Sequence, residues 1–122
     1  MTDRAVPPGD IAPAEFFTRW IPRMVDDDAQ RRRRLGETKA TLEFELEGEE
    51  GGLFTLHVAD GRVRGELGAA EGHPDLRVRL DVPTWRALNR GDISAPEALL
   101  RRRVHLRGNL VLALKLHLII GS

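Results

Sequence analysis

The sequence contains no cysteine, which excludes disulfides, zinc–thiolate sites and thiol nucleophiles. It has no apolar run near the roughly 18 residues that a membrane-spanning helix needs. Its longest candidate, Leu110–Ile120, is interrupted by Lys115 and His117. Residues 1–10 lack the apolar region of a signal peptide, so we expect a cytoplasmic protein. The formal net charge is zero, which argues against a sequence-independent nucleic-acid binder.

The length leaves room for one domain with one core. At 122 residues, with 41% hydrophobic and 31% charged side chains, the composition is that of an ordinary globular protein. Residues 1–10 carry Pro7, Pro8 and Gly9, which predict a mobile N-terminal arm. Residues 11–122 are then expected to form a single domain.

A helix is predicted from Pro13, because proline suits the first helical turn. Pro22 should kink or restart this helix, since its nitrogen cannot donate to the carbonyl of Thr18. Gly36 fits a C-terminal stop. The apolar side chains at helical spacing are Phe16, Phe17, Trp20, Ile21 and Met24.

After residue 38 the apolar period changes to that of a β-strand. Asp60-Gly61 is a strong signal for a two-residue hairpin, because both residue types tolerate positive φ. A short last strand is predicted at residues 104–107. The alternating apolar positions before it are Ala40, Leu42, Phe44, Leu46, Phe54, Leu56, Val58, Val63, Leu67, Leu76, Val78, Leu80 and Val82.

These strands predict an α+β fold with a five-stranded, mostly antiparallel sheet that has one dry and one wet face. On the wet face, glutamates of one strand would pair with arginines of others. The dry face requires a cover of helices. The sequence offers the first helix, short helices at residues 83–89 and 96–102, and the final segment.

The final segment, Leu110–Ile120, is apolar around most of a helical circumference, with Lys115 on one side. Such a helix must be buried on more than one side. In so small a chain, we expect the core on one side and either a ligand or a second copy of the chain on the other.

The sequence contains no HExxH, GxSxG, Walker A or GxGxxG motif, and no residue is assigned a catalytic role. His73-Pro74-Asp75 is interpreted as a turn between strands. Asp26, Asp27 and Asp28 point in different directions on a helix, so they do not converge on a metal ion. We therefore predict a protein that is not an enzyme and that needs neither a cofactor nor a metal.

Two features carry both an ordinary and a functional interpretation. His117 lies on the apolar side of the final helix. It is interpreted either as a hydrogen-bonded core histidine or as a contact for a ligand's head group. The basic runs at residues 31–34 and 101–103 are expected to be solvated faces. The alternative is transient attraction to anionic lipid surfaces.

Several segments, read in order, resemble the sterol carrier protein type 2 family. The helix with Phe16-Phe17 that closes in Ile21-Pro22 is similar to the family's opening helix. The strand before Asp60-Gly61 and the one after it match its strand–Asp-Gly–strand signature. The remaining landmarks are residues 83–91 with Pro96-Glu97-Ala98, and residues 104–109 followed by 110–118. Together they cover residues 14–120.

The resemblance implies a layered sandwich in which helices roof an apolar tunnel. It also implies a lipid-like ligand, such as a fatty acid, an acyl-CoA or a sterol-like molecule, bound without catalytic residues. The alternative is an accessory domain whose final helix docks a partner or forms a homodimer. The residues predicted to contact the ligand are Trp20, Met24, Trp85, Leu88, Leu110, Ala113, Leu114 and His117.

Overall fold

The computed structural model describes residues 6–121, which fold around one five-stranded sheet. Its spatial order is β3-β2-β1-β4-β5. All neighbouring strands are antiparallel except β1 and β4, which run parallel. The prediction of a mostly antiparallel sheet is therefore confirmed. The strands are β1 (Ala40–Glu47), β2 (Gly52–Ala59), β3 (Arg62–Leu67), β4 (Leu76–Asp81) and β5 (Val104–Gly108).

The connection from β3 to β4 explains the parallel pair. It must pass β2 and β1 to reach the other half of the sheet, and residues 68–75 do so over the polar face. Ala70 N donates to Glu43 Oε2 at 2.9 Å, and Thr55 Oγ1 donates to the Gly68 carbonyl at 2.9 Å. This cover buries Thr55 on the face expected to be wet.

The hairpin between β2 and β3 is built as predicted. Asp60 and Gly61 have φ angles of 53° and 72°. Positive φ at both central residues is the signature of the tight turn that matches the twist of antiparallel strands. This turn fixes the register in which Val58 lies opposite Val63.

Helices cover the other face of the sheet. The first helical segment consists of α1 (Pro13–Glu15), a π-helical stretch (Phe16–Trp20) and α2 (Ile21–Asp26). The π-helical stretch ends just before Pro22, which lies in the first turn of α2. Proline's missing N–H is thus accommodated by a local change of helix type. The other helices are α3 (Ala29–Leu35), α4 (Val82–Arg90), α5 (Ala95–Leu100) and α6 (Leu110–Ile120).

Gly65 allows the first helical segment to lie directly on β3. A Cβ at this position would overlap the carbonyl oxygen of Phe17. Phe17 itself is 1% exposed and stacks on Phe54 of β2, with ring centroids 4.9 Å apart. The absence of a side chain at Gly65 therefore sets how closely the helical cover approaches the sheet.

Polar side chains fix the start of four helices. The N-cap residues of α3, α4, α5 and α6 are Asp28, Asp81, Ser94 and Asn109, and each accepts a hydrogen bond from a backbone N–H of the first turn. The hydroxyl and the backbone N–H of Thr84 donate to Asp81 and hold the pKa of its carboxyl below the ordinary value. Local sequence therefore decides where these helices begin.

On the polar face, opposite charges of β1 and β4 pair as predicted. Arg77 Nε lies 3.6 Å from Glu43 Oε1, and Arg79 Nε lies 3.9 Å from Glu47 Oε1. Both arginines are about half exposed, so each pair contributes little to the free energy of unfolding.

Candidate functional site

An apolar cavity of about 490 Å³ lies between the covered face of the sheet and the helices. Side chains from the first helical segment, α4, α5 and α6 line it on one side, and β1, β2, β4 and β5 line it on the other. The volume falls within the range of about 300–1,000 Å³ that is usual for small-molecule pockets. The helical cover therefore does not fill all the space above the sheet.

The floor of the cavity is a row of apolar side chains across three strands. Phe44 of β1 lies opposite Val78 of β4, which in turn lies opposite Leu106 of β5. All three line the cavity and are only half-buried, although they share a face with the fully buried Leu42 and Leu80. The unfilled space thus lies above the part of the sheet that β1, β4 and β5 form.

Aromatic side chains form one wall. Phe16 stacks on Trp20 with ring centroids 5.4 Å apart, and it meets Trp85 of α4 edge-on at 5.2 Å. Met24, one turn after Trp20, also lines the cavity. The rings are locked against one another, whereas methionine adapts to irregular shapes. This wall combines a fixed surface with an adjustable one.

The inner side of α6 forms the opposite wall. Ala113, Leu116, His117 and Ile120 line the cavity from this helix. Its C-terminal end is held by two arginines of α3, because Arg31 Nε donates to the Ile119 carbonyl and Arg34 Nη2 to the Leu118 carbonyl, both at 3.0 Å.

Arg31 is a correction to the prediction that the run at residues 31–34 is a solvated face. Only 8% of Arg31 is exposed, and its guanidinium also pairs with Asp28 Oδ2 at 2.6 Å. The last carbonyls of a helix have no intrahelical partner, and a buried cation satisfies them. The pKa of the Asp28 carboxyl is lowered chiefly by a hydrogen bond from the Arg31 backbone N–H, and further by the Arg31 guanidinium.

Six of the eight predicted contact residues line the cavity: Trp20, Met24, Trp85, Leu88, Ala113 and His117. Their contact with a ligand stays a prediction. Leu110 and Leu114 do not line it, and they are 59% and 61% exposed. On α6 these two positions lie one turn apart on the outer face, while Ala113 and His117 lie one turn apart on the inner face. The structure thus places Leu110 and Leu114 outside the cavity, and their contact with a ligand also stays a prediction.

Sequence reasoning did not assign the floor residues Phe44, Val78, Val104 and Leu106 to the site. Alternation placed all four on the dry face, but a filled core requires the same residue types. These side chains come together because β1, β4 and β5 are neighbours in the sheet. The register between neighbouring strands cannot be read from the sequence pattern of a single strand.

The N-terminal arm also contributes to the site. Pro7 is buried and lines the cavity, and Arg86 Nη1 donates to the carbonyls of Gly9 and Ile11 at 3.3 and 3.1 Å. The described part of the arm is thus packed on the domain. Residues 1–5 of the predicted arm lie outside the described residues, and its mobility stays a prediction.

Several lining residues are exposed and mark where the cavity meets solvent: Gly91, Ser94, Pro96, Leu99 and Gly121. The mouth of the cavity therefore lies between the α4–α5 connection, α5 and the C-terminal end of α6. Asn89 and His117 are half-buried lining residues with polar side chains. Both side chains carry hydrogen-bond donors and acceptors at the cavity wall.

The lining of the cavity is mostly apolar. Among the described lining residues, His117 is the only one with a titratable side chain, and the indole nitrogen of Trp85 is buried without an acceptor. No group of acidic and histidine side chains within residues 6–121 is arranged to hold a metal ion. Within the same range, no helix combines the length and apolar character needed to cross a membrane.

The family model described as the SCP-2 sterol transfer family matches residues 17–120. The chain belongs to this family. Of the described elements, the match includes every strand and every helical segment except α1 and Phe16 of the π-helical stretch, so the domain and the family unit nearly coincide. No curated protein matches the chain by sequence.

Solved structures show the same fold at low identity. The sterol carrier protein domain 2 of Helicoverpa armigera is 15% identical with a TM-score of 0.72, and 99% of this chain aligns with 97% of that one. Palmitated SCP2L2 from Aedes aegypti is 19% identical with a TM-score of 0.66, covering 88% of this chain and 94% of that one. Both are sterol carrier proteins of nearly the same size as this chain.

The fold also occurs within a larger enzyme. A sec-alkylsulfatase from Pseudomonas sp. aligns with 91% of this chain at 20% identity and a TM-score of 0.70, but the alignment spans only 16% of the enzyme. The chain therefore resembles one part of that protein, and the likeness is one of fold.

Proposed function

We propose that this SCP-2 family domain binds a lipid-like apolar molecule in the cavity between the sheet and its helical cover. A fatty acid, an acyl-CoA and a sterol-like molecule are the ligand classes considered. The observation that carries the proposal is the row of half-buried Phe44, Val78 and Leu106 beneath an unfilled space. Membership of a family named for sterol transfer supports it.

The physics of the cavity favours a long apolar ligand. Removing apolar surface from water contributes about 25 cal/mol per Å². An acyl chain between Phe44, Val78 and the aromatic wall would thus be held without many polar contacts. Asn89 and His117 are available for a head group. In this proposal the domain acts as a non-catalytic binder in the cytoplasm, and the lining offers no acid–base pair.

The test is native mass spectrometry of the full chain purified from a host that contains lipids. The proposal expects a non-covalent adduct with the mass of a fatty acid, acyl-CoA or sterol-like lipid, lost on organic extraction. Protein that is consistently empty, and that takes up none of these lipids when they are added, would contradict it.

A second candidate function is that of an accessory domain docking a partner through the outer face of α6. Leu110, Val111 and Leu114 are 59%, 79% and 61% exposed on this face. Occurrence of the fold as one part of an alkylsulfatase is consistent with such a role. A concentration-dependent dimer in sedimentation that Leu114→Arg abolishes without unfolding the protein would favour it. A monomer at all concentrations would remove the homodimer version.

A further inference from the structure

The end of α5 presents a short apolar and basic surface, which we call the lip: Leu99, Leu100, Arg101, Arg102 and Arg103. All five residues are exposed. Leu100 is 86% exposed, the highest value among the large hydrophobic side chains of the described residues. Burial of its side chain in the core therefore does not explain a leucine at this position.

The lip is continuous with the cavity. Leu99 is 42% exposed and also lines the cavity. Ser94, the N-cap of α5, and Pro96, in the first turn of α5, line the cavity as well. Any membrane or protein that binds at Leu100 would therefore lie next to the mouth of the cavity. A lipid leaving that surface would meet Leu99 first.

The charges around the leucines are mostly positive. Arg101 Nη2 pairs with Glu97 Oε2 at 2.9 Å, and Arg103 Nε donates to Thr84 Oγ1 at 3.1 Å. Arg102 has no acidic partner among the described residues.

We propose that the lip docks on an anionic membrane surface and turns the mouth of the cavity towards the lipids. Two leucines are too small for a stable protein interface, which buries about 1,200–2,000 Å² in total. They suit shallow insertion between lipid head groups, where basic side chains add affinity. This inference rests on the proposed function, because it names the surface from which the ligand is taken.

The test is flotation of the full chain with vesicles of phosphatidylcholine alone and of phosphatidylcholine with phosphatidylglycerol in equal parts. We expect binding to the anionic vesicles at low salt and its loss at high salt. Leu100→Glu should lower the partition coefficient at least about tenfold, because it removes the burial of one leucine side chain. Arg102→Glu should lower it at least about fivefold, the effect of one basic residue near an anionic surface.

The matched control is Leu67→Glu. Leu67 is also a highly exposed leucine, at 67%, but it lies on β3 at the other edge of the sheet. The control variant should bind vesicles like the unmodified chain. Equal losses for Leu67→Glu and Leu100→Glu would overturn the proposal, because charge alone would then explain both.

Lipid content separates this proposal from the proposed function. Leu100→Glu should keep the lipid adduct in native mass spectrometry while it loses vesicle binding. A chain that carries lipid but never binds anionic vesicles would overturn the membrane proposal alone. Vesicle binding by a chain that never carries lipid would contradict the proposed function but would support the lip as a membrane-docking surface. If Leu100→Glu instead abolishes a dimer, the lip is an interface between copies and the proposal fails.

Discussion

Arg31 Nε and the carbonyl oxygen of Ile119 form a buried hydrogen bond of 3.0 Å between residues 88 positions apart in the sequence. It joins α3 to the C-terminal end of α6, the helix that supplies one wall of the cavity. The position of that wall thus depends on a side chain outside the cavity.

Replacing Arg31 should loosen this wall. Arg31→Met keeps an apolar stem but removes the donors, so the Ile119 carbonyl loses its partner. We expect the free energy of unfolding to fall by about 1–3 kcal/mol. Urea denaturation measures the loss, and hydrogen exchange of amides in α6 should quicken at its C-terminal end. Arg33→Met, at an exposed position of the same run, is the control. Similar stability for the two variants would refute the role of Arg31.

Filling the cavity should abolish lipid binding without unfolding the domain. Ala113 lines the cavity, whereas Val111 of the same helix is 79% exposed. Ala113→Phe should therefore lose the lipid adduct in native mass spectrometry, while Val111→Phe keeps it. Circular dichroism checks that both variants fold. A full lipid complement in folded Ala113→Phe would place the ligand elsewhere.

Asp81 should make the stability of the protein sensitive to acid. Its pKa is lowered in the folded state by hydrogen bonds from Thr84. Its stabilisation is therefore complete above the unfolded pKa of about 3.9, and it is lost as the pH falls through the lower folded pKa. Asp81→Asn keeps a helix cap but cannot titrate. The stability advantage of the unmodified chain should shrink below about pH 4 in urea titrations. An advantage that does not change with pH would contradict this assignment.

Gly65 should tolerate no side chain. Gly65→Ala forces a Cβ against the Phe17 carbonyl and pushes the first helical segment off β3. We expect a loss of about 1–3 kcal/mol, as for other overpacked sites. Gly9→Ala is the control, because nothing lies within 4 Å of a Cβ there. Thermal denaturation compares the two, and equal midpoints would show that the contact at Gly65 relaxes freely.

Local patterns predicted most of the elements of this fold. Alternation identified the strands, Asp60-Gly61 the hairpin, and Pro22 the irregularity in the first helix. Each of these signals is complete within a few neighbouring residues. The parallel pairing of β1 and β4 has no such local signal, because it depends on the path of residues 68–75 across the sheet.

The site was predicted less completely for the same physical reason. Helical periodicity assigned His117 and Ala113 to the cavity but also placed Leu110 there, because α6 is apolar on nearly every side. Which side faces inward is decided by packing against α3 and the sheet. Burial of Arg31 was equally invisible, since its acceptor lies at the other end of the chain.

The central claim is that an apolar molecule occupies the cavity, and tryptophan fluorescence tests it most directly. Both tryptophans, Trp20 and Trp85, line the cavity, so a brominated fatty acid bound there would lie close to every indole ring in the protein. The account predicts saturable quenching with one equivalent per chain, abolished by Ala113→Phe and kept by Val111→Phe. Quenching that is absent, or that rises without saturation in all three proteins, would contradict it.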